Sequence, residues 1–298
     1  MHHPKLAKSD LLPVFLLLFS ASMWGLIWYP LRILEHHGLS GLWSTLIMYA
    51  AALIPALFLL TGRWREFAQH PWLLLLIALG NAWCNVAFIL AVLDGTVVRV
   101  LLLFYLSPLW ATLLGMLLLG ERLNRTAVLT LAIALIGALI MLWEPEYGMP
   151  WPKDRADWLA LSAGVGFAFS NVLVRKLSHV SVRVKAASTW IGVSVLAVIW
   201  IVVSGTPVPA VEFTVVGGAA LLGVLGIASM TLAVLYGVSH MPVHRSSVIL
   251  LFEIVVGAVS SLLLTDEVVL PREWIGGVLI ILAAYLSTRD HLNERAGH

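Results

Sequence analysis

VLDGTVVRVLLLFYLSPLWATLLGMLLLGERLNRTAVLTLAIALIGALIMLW, residues 92–143, returns in weakened form as VSHMPVHRSSVILLFEIVVGAVSSLLLTDEVVLPREWIGGVLIILAAYLSTR, residues 238–289. Sliding one copy by about 146 positions lays Arg99 on Arg245 and Glu121 on Glu267. Each stretch reads as two apolar helices joined by a short charged turn. One structural unit has been used twice.

Outward from that repeat, the 298-residue chain is 60% apolar and only 11% charged, against about 25% charged residues in soluble domains. A water-facing surface cannot be built from so few charges. Apolar runs long enough to cross about 30 Å of hydrocarbon recur along the chain, at 11–31, 41–61, 72–93, 97–119, 125–143, 157–177, 186–204, 213–238, 246–265 and 273–288. The expected class is an all-α integral membrane protein of ten transmembrane helices in two five-helix repeats. The repeats occupy 1–143 and 157–298. The Pro-rich, charged stretch 144–156 (EPEYGMPWPKDRA) joins them. The first apolar run is span-length and passes straight into Trp24, Trp28 and Arg32, so it reads as a span and not as a cleaved signal.

Basic residues mark the side of short loops that stays in the cytoplasm. With the amino terminus inside, the inner segments hold Lys5, Lys8, Arg63, Arg65, Arg122, Arg125, Arg175, Lys176, Arg183, Lys185, Arg245, Arg289 and Arg295. The outer segments hold Arg32, Arg99, Lys153, Arg155 and Arg272, with most of the acidic residues. Both termini are therefore expected in the cytoplasm of a cell whose plasma (inner) membrane the chain crosses many times. Five spans is an odd number, so the second repeat is expected upside down relative to the first. Inverted repeats of this kind build secondary transporters, with the substrate site between repeats near the bilayer midplane. Transport is the leading functional expectation.

The net charge of +2 is a topology signal, since no basic face with interleaved aromatics stands apart from the loops. Nucleic acid is not an expected partner. The single cysteine, Cys84, falls inside a span, can form no internal disulfide and reads as a small packing residue.

Leu106-Ser107-Pro108, followed by Gly120-Glu121-Arg122-Leu123 and the Gly137 helix, resembles the EamA module of the drug/metabolite transporter superfamily. The Trp24-Gly25 pair in the first span fits as well, and the resemblance covers nearly the whole chain. The second half departs from the pattern: Asp266-Glu267-Val268-Val269 stands for Gly-Glu-Arg-Leu, and Glu253-Ile254 for Ser-Pro. The resemblance implies a ten-span permease for amino acids, amines, other metabolites or drugs. Export is the direction that it suggests.

Glu253 lies seven positions into the ninth span and is the only carboxylate well inside any span. Burying a charge at that depth costs about 2.5 kcal/mol or more, so such a residue faces a cavity or a partner. Three readings stand side by side: a proton-coupling carboxylate, a counter-ion for a substrate ammonium, or a neutral Glu bonded to a neighbouring helix. Candidate lining residues are Trp24 and Trp28, four apart on one face of the first span, and Asn81 and Asn85 likewise in the third. Tyr105, Ser170, Asn171, Trp190 and Tyr236 complete the set. Aromatic faces beside a carboxylate suit an ammonium group, while Asn within a span also serves as glue between helices. Arg99 and Arg245, at equivalent span starts, are candidate gate residues or snorkelling side chains. Pro108 should kink the fourth span; with no Pro in the second copy, the expected hinge is asymmetric. Ala219 with Gly223, and Gly257 with Ser261, should let helices approach closely.

Expected partners are a small-molecule substrate, protons as the candidate coupling ion, and the bilayer, with the chain a monomer or weak homodimer. No cofactor or metal is called for. A membrane enzyme is the competing class, since His240 and His244 have H-x-x-x-H spacing and His36 and His37 are adjacent, but the pairs fall on opposite sides of the membrane. A channel-like permease without ion coupling is the third class, although no ring of filter residues is present.

Overall fold

The computed structural model describes residues 8–59, 63–95, 97–143, 146, 151–264 and 270–296. Among these residues the protein is helical and without strands. The first half holds α1 (Lys8–Leu26), α2 (Trp28–His36), α3 (Gly41–Leu59), the short α4 (Trp64–Gln69), α5 (Pro71–Asp94), α6 (Val97–Phe104), α7 (Ser107–Leu119) and α8 (Arg125–Leu142). The second holds α9 (Arg155–Lys176), α10 (Val182–Ser204), α11 (Phe213–Leu221), a π-helical turn (Leu222–Ile227), α12 (Ala228–His240), α13 (Val243–Leu250), α14 (Phe252–Leu264) and α15 (Pro271–Ala296). Helix ends follow local chemistry. Asn124, Asp154 and Ser181 cap α8, α9 and α10 with their side-chain oxygens, and Gly120 and Gly205 end α7 and α10 in the left-handed conformation that glycine adopts without strain.

Among the described residues, eight helical stretches are long and apolar enough to cross a bilayer: Leu11–His36, Pro71–Val92, Arg99–Leu119, Arg125–Leu142, Arg155–Lys176, Val182–Ser204, Phe213–His240 and Val243–Leu264. The expected second and tenth spans correspond to α3, whose described apolar stretch is the shorter Gly41–Ala56, and to α15, which carries Arg272, Glu273, Arg289 and Asp290 near its ends. Large apolar side chains such as Phe15, Leu117, Val203 and Leu263 point outward, as contact with lipid requires. The protein is a multi-pass membrane protein.

Besides the turn at Ile27 between α1 and α2, two spans break among the described residues at equivalent places in the two copies. Between α6 and α7 the chain turns at Tyr105 and Leu106, and between α13 and α14 it turns at Leu251. Tyr105 moved by 146 positions is Leu251, so the two breaks are equivalent. At each, the backbone tightens to bonds between residues three apart, Leu106 N–H to Leu103 O and Leu251 N–H to Val248 O. The expected asymmetry is therefore corrected: the second copy breaks without a proline. In the first copy Pro108 has no N–H for the Phe104 carbonyl. In the second, packing imposes the turn, since the α14 backbone at Glu253 is pressed against Gly25 of α1, where an added Cβ would stand 2.7 Å from the Glu253 carbonyl oxygen. The first copy mirrors that contact: the Phe104 carbonyl lies on Gly164 of α9, 2.8 Å from where a Cβ would be.

Helix neighbours repeat in the same way. α5 packs on α9 as α12 packs on α1; α7 and α6 lie on α9 as α14 and α13 lie on α1; α8 pairs with α15 and α3 with α10. The larger apolar core runs through α1, α3, α5, α9, α10 and α12, with Leu17, Ile77, Trp190 and Met230 fully buried. A smaller one joins Tyr105, Leu131 and Ala134 to Val248, Ile254 and Ile280. Of the two expected small-residue contacts, Gly223 meets the Met48 backbone and Gly257 meets Gly25.

Candidate functional site at the helix breaks

The two breaks bring Tyr105 and Glu253 together. The Tyr105 hydroxyl, in the turn after α6, faces the Glu253 carboxylate in the first turn of α14 closely enough for the two to interact. Each half supplies one member of the pair. Cys84 of α5 lies within electrostatic reach of Glu253, and Tyr49 of α3 within reach of Cys84. An aromatic wall adjoins the pair, with Phe104 edge-on to Tyr105 at 5.4 Å and to Phe88 at 5.0 Å, and Phe167 at 5.9 Å.

A chain of polar side chains leads away from that centre. Tyr49 donates to Asn85 Oδ1 (3.1 Å), Asn85 Nδ2 to the Asn81 carbonyl (2.9 Å), and Asn81 Nδ2 to Ser170 Oγ and to Thr189 Oγ1 (3.3 Å). Four helices, α3, α5, α9 and α10, are thus linked through polar atoms inside an apolar protein. Asn171 is buried beside Ser170 on α9.

The remaining candidates lie elsewhere. Trp24 is half-buried against the larger core. Trp28 donates its indole N–H to Ser260 Oγ (2.9 Å), fastening α2 to α14, and Arg32 lies over its ring. Trp190 is fully buried, with its indole nitrogen unpartnered among the described residues. Tyr236 stacks on His240 at 4.1 Å and lines a lateral crevice of about 520 Å³ with Leu16, Phe19 and Arg183. That crevice is separate from the Tyr105–Glu253 pair.

Both candidate gate arginines are buried and ion-paired. Arg99 Nε meets both oxygens of Asp157 (2.8 and 2.7 Å), its Nη2 lies 2.7 Å from Oδ2, and it also donates to the Trp151 carbonyl. The Lys153 amide donates to the same carboxylate (2.8 Å). Arg245 donates to Asp290 (2.6 Å), which also accepts from Asn124 (3.2 Å). Near Arg245, Glu121 caps the first turn of α13 by accepting from the Val243 amide (3.1 and 3.0 Å), and it faces His244 Nδ1 (3.3 Å) and Arg175 (3.9 Å). Its repeat mate Glu267, with Asp266, lies outside the described residues. Lys185, fully buried, donates to Ser239 Oγ (2.6 Å) and to the Leu177 carbonyl (3.1 Å) at the carbonyl end of α9, where the helix dipole favours a cation.

The two ionic clusters occupy opposite ends of α9. At about 1.5 Å of rise per residue, Asp157 and Arg175 are about 27 Å apart, with Gly164 and its Phe104 contact between them. The Tyr105–Glu253 pair therefore sits at mid-height with an ionic tie above and below. The His240–His244 pair does not converge: His240 Nδ1 is bonded to the Tyr236 carbonyl (2.7 Å), while His244 faces Glu121.

The sequence matches the EamA-like transporter family over residues 11–143 and again over 154–289. The chain belongs to the EamA-like transporter family. Its similarity to Protein RarD of Streptomyces exfoliatus is 26% identity over 284 residues, 91% of this chain and 86% of that one. An uncharacterized transporter of Vibrio cholerae is 31% identical over 172 residues, 55% of this chain and 54% of the relative. A second uncharacterized transporter, from Pseudomonas aeruginosa, is 27% identical over 145 residues, 47% and 45% of the two chains. A protein crystal structure shares the fold, with a TM-score of 0.75 at 18% identity over 93% of this chain and 97% of the other. The family and the named relatives support a membrane transporter of the drug/metabolite type.

Of the expected lining residues, the structure brings Glu253 and Tyr105 together and joins Asn81 to Asn85 on one face of α5; Tyr49, not among the expected residues, bonds to Asn85, and Cys84 is buried on α5 between the two asparagines. The available signal was position: Cys84 lies between Asn81 and Asn85, so one turn of α5 carries all three.

Proposed function

We propose that this EamA-like protein is a secondary-active exporter that carries a small, amine-bearing metabolite or drug-like cation across the plasma (inner) membrane. It does so by alternating access about the Tyr105–Glu253 pair. The observation that carries this reading is the pairing of two helix breaks, one per repeat, with a carboxylate at their meeting point and ionic ties at both ends of α9. Broken helices at mid-membrane are where transporters of inverted-repeat design bind substrate. Glu253 supplies the counter-charge, and Phe88, Phe104, Tyr105 and Phe167 supply aromatic faces for an ammonium, each contact contributing about 0.5–2 kcal/mol.

In this account the ten helices form two inverted five-span repeats with both termini cytoplasmic, as the basic loops favour. The exchange of helix neighbours between the halves supports it. Arg99–Asp157 closes the outer end; Arg245–Asp290 and Glu121 close the inner end. Opening one tie while the other holds exposes the centre to one side at a time. Substrate binding displaces Tyr105 from Glu253, and a proton carried by Glu253 in the return step would couple export to the proton gradient.

The test is thermal stabilisation of the purified protein by amino acids, amines and cationic drugs, in parallel with Glu253→Gln. A ligand at about 100 times its Kd adds about 2.7 kcal/mol. Stabilisation by an amine that disappears in the variant supports the reading. Equal stabilisation of both proteins removes Glu253 from the site.

A further inference from the structure

At the end of α9 that carries Arg175, two turns from different halves of the chain meet. His70 lies between α4 and α5, and His179 lies in the turn between α9 and α10. Their Nε2 atoms are 3.1 Å apart. The ring centroids are 5.0 Å apart, with the planes at 75°. That centroid separation is shorter than two imidazoles pointing head-on would give at the same nitrogen distance. The rings are therefore not head-on: at least one ring axis is bent off the line between the nitrogens. The arrangement is held from behind: Glu66 Oε2 accepts from the Ser181 amide at the start of α10 (2.8 Å), while Glu66 Oε1 takes Arg63 (2.7 Å). Glu66 thus docks the two turns and is itself engaged.

We propose that His70 and His179 form an open two-histidine site for a first-row divalent metal ion, Zn2+, Ni2+ or Cu2+, bridging the two repeats. Two nitrogens 3.1 Å apart, each about 2.1 Å from an ion, subtend roughly 95° at it. That is near the right angle between adjacent ligands of an octahedral or square-planar ion, so the nitrogen spacing suits such an ion. Imidazole suits these ions by softness. Among the described residues no third His, Cys, Asp or Glu completes a closed cage, so water fills the other positions. The edge is accessible, His179 being exposed and His70 half-buried. In the metal-free protein a neutral His–His hydrogen bond holds the same 3.1 Å; on metal binding the donor ring's Nε2 proton moves to its Nδ1, which leaves both Nε2 lone pairs for the ion. An ion there ties the α4–α5 turn to the α9–α10 turn. Its effect on transport rests on the alternating-access reading; the site does not.

The test uses full-length protein without a histidine tag, in detergent, titrated with NiCl2 and followed by thermal unfolding, with EDTA reversal. The expected result is a rise in Tm that is lost in His70→Ala and in His179→Ala, while His36→Ala keeps it. Cu2+ bound to the unaltered protein should show two coordinating nitrogens by electron paramagnetic resonance, a readout that does not depend on how the variants fold. A shift that survives in either variant, or no shift in the unaltered protein, overturns the site. Slowing of substrate counterflow by Zn2+ in the unaltered protein but not in His179→Ala would add the functional link. Tm shifts without that slowing would leave the site standing and count against the rocking of the halves.

Discussion

Asp157→Asn keeps the size of the side chain and removes the charge that holds Arg99. The carboxylate accepts from Arg99 at 2.7–2.8 Å and from the Lys153 amide at 2.8 Å, and the two side chains are only 9% and 2% exposed. Little water screens the pair, so the surface value of under about 1 kcal/mol does not apply. Removing one partner of a buried pair strands the other charge and costs about 3–5 kcal/mol. Arg99 keeps the Trp151 carbonyl as a second acceptor, which places the expected loss near the lower end, about 3 kcal/mol. Replacing both partners with apolar residues of similar volume, Arg99→Met with Asp157→Leu, leaves no stranded charge and should cost far less than the two single changes added together. Equilibrium unfolding in mixed micelles measures all four corners of that cycle. A single-variant loss within about 0.5 kcal/mol of zero, the range of ordinary surface changes, or full additivity in the double variant, would refute the buried-pair reasoning. Because the pair closes the outer end in the proposed cycle, the same Asn variant should also shift the protein towards outward-open states.

Gly164→Val puts a Cβ about where the Phe104 carbonyl lies, 2.8 Å away, so α9 and α6 must separate. A loss of about 1–3 kcal/mol is expected from overpacking, read as a lower Tm. Gly25→Val, against the Glu253 carbonyl, should behave alike, and tolerance of either would mean that the close contact is unimportant. Glu121→Ala removes the cap on the Val243 amide; a loss of about 1–2 kcal/mol and faster proteolysis at the α12–α13 junction are expected, and unchanged behaviour would deny it a role in closing the inner end. Tyr105→Phe removes the hydroxyl that faces the buried Glu253, and a loss of about 0.5–1.5 kcal/mol, the range for an ordinary polar contact, is expected. A matching loss in Glu253→Gln, smaller than additive in the double variant, would show that the two residues act as a pair.

Much of the scaffold was legible because a membrane allows few solutions: backbone groups in lipid must pair within their own segment, so apolar run lengths and charged turns translate almost directly into helices. The first break was announced by Pro108. The second was not, because Leu251 and its neighbours contain no helix breaker; that turn comes from Gly25 pressing on α14 and from Tyr105 reaching Glu253, and both contacts join residues far apart in sequence. Arg99 and Arg245 stood out by register, yet Asp157 and Asp290 come from other helices and no spacing rule picks them. Glu253 was visible because a lone carboxylate in an apolar span is costly. Its companions Tyr49 and Cys84 are ordinary residues for a span, and only the packing of α3 and α5 brings them to the centre.

Cys84 is the chain's only cysteine and lies within electrostatic reach of Glu253, so it reports on the region of the centre without any engineering. The decisive measurement is its rate of alkylation by a membrane-impermeant thiol reagent added to right-side-out or inside-out vesicles, with and without Asp157→Asn. Alternating access predicts that the variant raises labelling from the outside and lowers it from the inside, since one end opens while the other stays tied. Labelling that rises from both sides at once would indicate a continuous pore, and labelling unmoved from either side would take the Tyr105–Glu253 centre off the transport path.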